Sequence, residues 1–263
     1  MYYDRINCKI SFQNSRPPSF RVTMDNSRES YQDLLRRCTK RQCKTETNQT
    51  ESTVPLPALY KGDVIELYGG HVTGATSLLC SVSLDYLVRN PSACVFYIDC
   101  DRGVPPHKFL NLLSAAHPNS DKNGVLQRLC LSQCCSIHEL ISVLETTEKQ
   151  HKNHEYPDLL IIDNILSFYW SCTHDRNILR DKIIPKVQNI KPHCAVLLSW
   201  HPPVKQPDNI LPPSWSKLVT KRLHLTSQAN PRVMEEEGGS REDRLHRVQF
   251  SVDLRTGCVT GDC

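Results

Sequence analysis

The chain has 263 residues, 39% of them hydrophobic and 23% charged, with a formal net charge of +4. That length can bury the core of one large domain plus an appendage, and the composition is that of a soluble globular protein. No apolar run approaches the roughly 18 residues of a membrane helix, and so small a net charge carries no global signature of nucleic-acid binding. The thirteen cysteines are scattered and odd in number, and without a secretory signature they are expected to lie reduced rather than in a disulfide framework.

Residues 1–26 show no period and read as a weakly ordered N-terminal extension, with Met24 as a second candidate start. From Ser27 a helix is expected, because Tyr31, Leu34, Leu35 and Cys38 recur at i, i+3, i+4 and i+7. Arg36, Arg37, Lys40, Arg41 and Lys44 decorate its remainder. The helix reads either as a basic arm for DNA or as an amphipathic element docking its apolar stripe on the body or on a partner. Residues 45–60 turn polar and then proline-punctuated, as a linker does. The division is therefore an extension over 1–26, a basic helix and linker over 27–60, and a core domain over 61–263.

The core opens with the stretch that organises it. A short apolar run, Val64, Ile65, Leu67 and Tyr68, meets a turn of nine residues: Gly69, Gly70, His71, Val72, Thr73, Gly74, Ala75, Thr76 and Ser77. A helical pattern begins at Leu78. Strand, glycine-bearing loop and helix form the layout of a phosphate-binding P-loop, in which backbone N–H groups and a helix N-terminus cradle an anion. Gly69 and Gly74 fill both glycine positions of the GxxxxGK[ST] pattern, and Thr76 supplies the hydroxyl that meets Mg²⁺. Alanine at position 75 replaces the lysine that bridges the β- and γ-phosphates. Loss of one such charged contact costs several kcal/mol, by analogy with the roughly 2.7–4 kcal/mol of a lost oxyanion donor. ATP with Mg²⁺ is thus expected as a weakly held ligand. Efficient hydrolysis would need another cation: Lys61, Arg102 or a partner's arginine.

Downstream, the helix carrying Leu79, Val82, Tyr86 and Leu87 ends near Asn90-Pro91. Cys94–Ile98 is a continuous apolar run, as a strand buried on both faces requires, ending in Asp99-Cys100-Asp101. A helix over Pro106–Ala116 and a strand at Leu129–Leu131 follow. Ser136 and Glu139 then form a capping box for a helix bearing Leu140, Val143 and Leu144. Leu159–Ile162 are four aliphatic residues ending in Asp163. Helix is expected again over Asp175–Ile190, interrupted at Pro185, then a buried strand at Ala195–Ser199. Val248, Phe250, Val252 and Leu254 alternate as in a half-exposed antiparallel strand. Strands alternating with helices predict an α/β fold: a mostly parallel central sheet, helices on both faces and antiparallel strands at its C-terminal edge.

Asp163 occupies the position of the aspartate that, with Thr76, orients Mg²⁺ on a nucleotide. Asp101 is the candidate to polarise a water attacking the γ-phosphate, and Asp99 competes for that role. Cys134-Cys135, Cys38 with Cys43, and His151 with His154 lack the paired Cys-x₂-Cys spacing of a zinc site.

These stretches together resemble the RecA-type recombinases and their eukaryotic paralogues. Phe96–Asp101 is similar to the family's strand ending in a catalytic acid, with Asp101 at the acid's position and one methylene shorter. Leu159–Asp163 resembles its second nucleotide-binding strand, and Asp158–Trp170 (DLLIIDNILSFYW) is the most specific stretch. His201 falls where the family carries a glutamine that senses the γ-phosphate. The resemblance spans about residues 27–263. It implies a RecA-like P-loop ATPase core acting in homologous-recombination repair of DNA breaks in the nucleus. The partners it implies are other recombinase paralogues, with DNA met through the complex and no membrane. The first reading is a non-catalytic or weakly nucleotide-binding assembly subunit, and the alternative is a working DNA-dependent ATPase. A P-loop nucleotide kinase would need an arginine-rich lid, and none is visible. The recombinase DNA-contacting stretch corresponds to His201–Trp215, which holds one lysine and five prolines. Only Lys205, Trp200 and Trp215 suit a nucleic-acid groove there.

Overall fold

The computed structural model describes residues 19–21, 58–69, 73–149, 157–168, 177–201, 211–226, 232–237, 247–252 and 259–262. The expected helix from Ser27 with its basic tail, most of the linker, Gly70, His71 and Val72 lie outside them. So do Cys38, Cys43, His151, His154, Tyr169, Trp170, Lys205, Leu254 and the start of the Asp175–Ile190 stretch.

The described chain runs β1 (Ser19–Arg21), β2 (Val64–Gly69), α1 (Ala75–Arg89), β3 (Val95–Asp99), α2 (Pro106–Ala116), α3 (Lys122–Leu126), β4 (Leu129–Gln133), α4 (Ile137–Lys149) and β5 (Leu159–Asp163). A π-helical turn at Leu179–Ile183 leads into α5 (Ile184–Ile190), followed by β6 (Ala195–Trp200), α6 (Pro213–Leu218), β7 (Lys221–Thr226), β8 (Arg232–Glu237), β9 (Arg247–Val252) and β10 (Val259–Asp262). All ten strands join one sheet in the order β1-β4-β3-β5-β6-β2-β7-β8-β9-β10. From β4 to β7 the neighbours are parallel. β1, β8, β9 and β10 extend the two sides antiparallel. The architecture is α/β with a mostly parallel central sheet, as the alternation of elements predicts.

Alternate residues of each buried strand feed two separate cores, which is why the strands read as unbroken apolar runs. Val64, Phe96, Ile98, Leu160, Ile162, Val196 and Leu198 pack with α4, α5 and α6. Ile65, Leu67, Val95, Tyr97, Leu159, Ile161 and Leu197 pack with α1, α2 and α3. Each such side chain contributes roughly 1.5–3 kcal/mol by leaving water. Helices thus cover both sheet faces, with α1–α3 on one and α4–α6 on the other. At some places in the sheet the loops at the carboxyl ends of adjacent strands consequently turn opposite ways. β3 feeds α2 on one face while its neighbour β5 feeds α5 on the other, and β2 and β6 diverge in the same manner. Crevices form where neighbouring connections part like this, and ligands of open α/β sheets bind in them.

Several local devices follow the sequence. α2 starts at Pro106, directly after Pro105, because proline suits a first helical turn. The Glu139 N–H donates to Ser136 Oγ over 3.2 Å, and Glu139 Oε2 accepts from the Cys135 N–H over 2.8 Å, so the expected capping box closes one residue further upstream. Pro185 falls in the first turn of α5, where its missing N–H is tolerated, and a π-helical turn precedes it. Three residues of the aperiodic N-terminal stretch pair as β1 with β4. The short α3 and the strands β7, β8 and β10 are additions to what the sequence pattern predicts. The seven described cysteines are free, and six of them are buried.

Candidate nucleotide site at the carboxyl edge of the sheet

β2 ends at Gly69, and the reason glycine stands there is β7. A Cβ at Gly69 would lie 2.3 Å from the Leu225 carbonyl oxygen and 3.1 Å from Thr73 Cγ2, so any side chain would push the two strands apart. Gly74 has φ +83°, the left-handed region that glycine enters without strain. Helix α1 begins immediately afterwards, at Ala75 rather than at Leu78. Ala75, Thr76 and Ser77 carry no apolar period but form its first turn, and the Leu78 N–H donates to the Gly74 carbonyl over 2.9 Å. Ala75 is buried among the residues of the α1 face.

The turn delivers Thr76 to Asp163. Asp163 is the last residue of β5 and 1% exposed. Its carboxylate accepts from Tyr97 Oη over 2.7 Å and from Ser199 Oγ, and the Thr76 hydroxyl stands near enough to favour its charged form. Burial pushes this carboxyl above its ordinary value, and the three hydroxyl donors pull it part of the way back. The same burial, reinforced by the Asp163 charge, pushes the Tyr97 phenol well above its usual range. The Cys80 thiol, which donates to Tyr97 Oη over 3.8 Å, is pushed up to about 12 by its burial. The hydroxyl and the carboxylate that the sequence pairs across 87 positions are therefore brought to the same place.

The two aspartates after β3 part company. Asp99 is fully buried and accepts from the Gly103 N–H (3.2 Å), the Val104 N–H (2.9 Å) and Gln133 Nε2 (3.1 Å). It is consumed in shaping the loop, which removes it from competition for a catalytic role. Asp101 is exposed, and its Oδ1 meets the Ser167 hydroxyl from the turn following β5. Asp101 also stands close enough to Asp163 for its charge to disfavour ionisation there. A non-proline cis peptide joins Asp163 to Asn164. On the other side of the site, His201 follows the end of β6, and its Nδ1 lies 3.1 Å from the Gly69 carbonyl oxygen.

Of the cations expected to replace the loop lysine, Lys61 is at the wrong end. It precedes β2 and its charge is felt by Cys194 at the start of β6, about 20 Å from the loop across a six-residue strand. Arg102 is exposed on the loop after β3. The cation that does reach α1 is one the sequence reading passed over. Lys108, in the first turn of α2, donates from Nζ to Ser77 Oγ over 3.5 Å. Its signal was available: a lysine two residues into a helix that follows a buried parallel strand must lie at the same sheet edge as the loop.

Trp200 and Trp215, the two aromatics that would suit a nucleic-acid groove, are core residues, 7% and 0% exposed. Trp215 donates Nε1–H to Glu66 Oε1 over 3.0 Å, and Trp200 stacks on Tyr68 at 5.7 Å between ring centroids. An aromatic ring in a sequence shows its size but not which way it faces.

The donor set suits a metal brought with its ligand. Among the described residues no group of three or more His, Cys, Asp or Glu side chains could hold a metal unaided. Mg²⁺ accepts one or two protein oxygens when phosphates complete its shell, and Thr76 with Asp163 supply that pair. Such an ion would neutralise phosphate charge. The chain's own contribution would be the α1 N-terminus, the Thr76 hydroxyl and the Asp163 carboxylate, held in place by Tyr97 and Ser199. No described helix is long and apolar enough to cross a membrane. The chain matches no protein-family model and no curated protein.

Proposed function

We propose that this chain is a RecA-like recombinase-paralogue subunit that binds nucleotide weakly, hydrolyses it little or not at all, and acts by assembling with other paralogues in homologous-recombination repair of DNA breaks in the nucleus. The observation that carries the reading is the juxtaposition at the start of α1. The Thr76 hydroxyl stands near enough to Asp163 to influence its carboxyl, as a nucleotide site requires, while the preceding position holds a buried alanine in place of the phosphate-bridging cation. Support also comes from the placement of Phe96–Asp101 and Leu159–Asp163 on the neighbouring strands β3 and β5, and from the antiparallel strands after β7. With Trp200 and Trp215 spent in the core, DNA would be met through the complex.

The test has two arms. Co-expression with recombinase paralogues should give stable co-elution on size exclusion, and the purified chain should show no ATP turnover that Asp163→Ala removes. Failure to co-elute with every paralogue would sink the assembly reading. Turnover stimulated by DNA and abolished by Asp163→Ala would replace it with the second reading, a DNA-dependent ATPase. That alternative draws its support from the exposed Asp101 carboxylate beside the site.

A further inference from the structure

We infer that Lys108 is the phosphate-binding cation of this site, supplied from helix α2 in place of the side chain that position 75 lacks. The inference rests on the nucleotide-binding part of the reading above and assigns it a residue outside the loop. Lys108 is half-buried, and its ammonium is 3.5 Å from Ser77 Oγ, in the first turn of α1. Among the described residues no carboxylate pairs with it.

That placement sets two positive features side by side. The first turn of a helix presents unpaired N–H groups equivalent to roughly half a positive charge. An ammonium held beside that turn adds like charge to like. A phosphate at the start of α1 would resolve both, accepting from the turn's amides and from Lys108. The fold fixes the approach: α1 and α2 pack on the same sheet face, and Phe109, next to Lys108, is anchored there at 0% exposure. The ammonium is therefore carried on a rigid element and reaches the first turn of α1, the turn that also carries Thr76. A point charge on a flexible stem suits phosphate oxygens without demanding the position of the loop lysine.

The test is calorimetric titration of the full-length chain with ATP·Mg²⁺, ADP·Mg²⁺ and adenosine, comparing wild type with Lys108→Met, Lys108→Gln and Lys108→Arg. The expected result is loss of about tenfold to a hundredfold in ATP·Mg²⁺ affinity for the Met and Gln variants, the size of one charge-assisted contact. The loss should be smaller for ADP and absent for adenosine, and the Arg variant should retain most of the affinity. Unliganded melting temperatures should stay near wild type, because among the described residues the ammonium donates only to Ser77. If wild type binds ATP·Mg²⁺ and the Met and Gln variants bind it equally well, Lys108 is not the cation, although the nucleotide reading stands. Equal losses for ATP and adenosine would assign Lys108 to the fold and overturn the inference. If wild type binds neither nucleotide, alone or with a paralogue, the inference falls together with the nucleotide-binding reading.

Discussion

Tyr97, in the middle of β3, donates its phenolic hydroxyl to Oδ2 of Asp163 at the end of β5 over 2.7 Å, with both side chains closed off from water. The bond crosses between neighbouring parallel strands and holds an acid where solvation would not. Burial is the larger influence, so the folded state retains the Asp163 proton to higher pH than the unfolded chain does. Stability associated with that proton is complete below the ordinary carboxyl range and is lost as pH rises through the folded-state value. Asp163→Asn should therefore raise the melting temperature at pH 7.5 by about 2–4 °C, the shift that about 1 kcal/mol produces in a domain of this size. The gain should shrink toward pH 4. Thermal denaturation at the two pH values decides it, and a lower melting temperature for the variant at pH 7.5 would mean that the three hydroxyl donors outweigh burial.

A second buried acid behaves differently because it has a cationic partner. Glu66 is 1% exposed in the centre of β2. Its Oε2 lies 2.8 Å from Arg222 Nε on β7, and its Oε1 accepts from Trp215. Burial still raises its carboxyl above the ordinary value. Arg222→Met should cost about 1–3 kcal/mol at pH 7.5, below the full value for a buried pair because the guanidinium is a third exposed. The deficit should narrow on acidification, as Glu66 takes up its proton. Urea midpoints at pH 7.5 and pH 5 measure both effects, and a deficit independent of pH would contradict the account.

Gly69→Ala tests the close approach of β2 and β7. The new methyl group would meet the Leu225 carbonyl at 2.3 Å, and backbone cannot swing aside as a side-chain tip can. Destabilisation of about 1–3 kcal/mol is expected from this overpacking, read as a lowered urea midpoint with an unchanged slope. A variant as stable as wild type would show that the strands can part freely at this point.

The two aspartates flanking Cys100 should separate cleanly on substitution. Asp99→Ala strands the amides of Gly103 and Val104, and should cost about 1–3 kcal/mol for the unsatisfied groups. Asp101→Asn, at an exposed position, should leave stability within about 0.5 kcal/mol of wild type. Denaturation of the pair of variants checks this, and the reverse order would exchange their assigned roles.

The sheet was legible in the sequence wherever a strand is buried on both faces. Cys94–Ile98, Leu159–Ile162 and Ala195–Leu198 are continuous apolar runs, and only a central parallel strand needs one. Helix α2 was legible to the residue, because Pro105 and Pro106 mark its entry and the Phe109, Leu112 and Leu113 stripe fixes its face. The strand β7 was harder. Arg222 and His224 alternate with Leu223 and Leu225, so only one side of it looks apolar, and its charged side includes the partner of a buried glutamate. Helix α3, at five residues, is too short to show a period. At the site, spacing put Thr76 and Asp163 at the same edge of the sheet, because both residues are fixed to the ends of strands and helices. It could not tell Asp99 from Asp101. Strand alternation puts both on the same side, and only the course of the loop to Val104 decides which one is enclosed.

The two outermost strands of the sheet are β1 and β10, one drawn from the first 26 residues and the other from the last five. Each covers a neighbour, β4 or β9, that would otherwise present a row of open amide and carbonyl groups. Trimming the chain at either terminus to obtain a smaller fragment would uncover such a row. Uncovered strands recruit one another, so shortened versions should be prone to self-association even with both cores intact. Their solution behaviour would then reflect the lost margins of the sheet, and not the partner preferences of the whole chain.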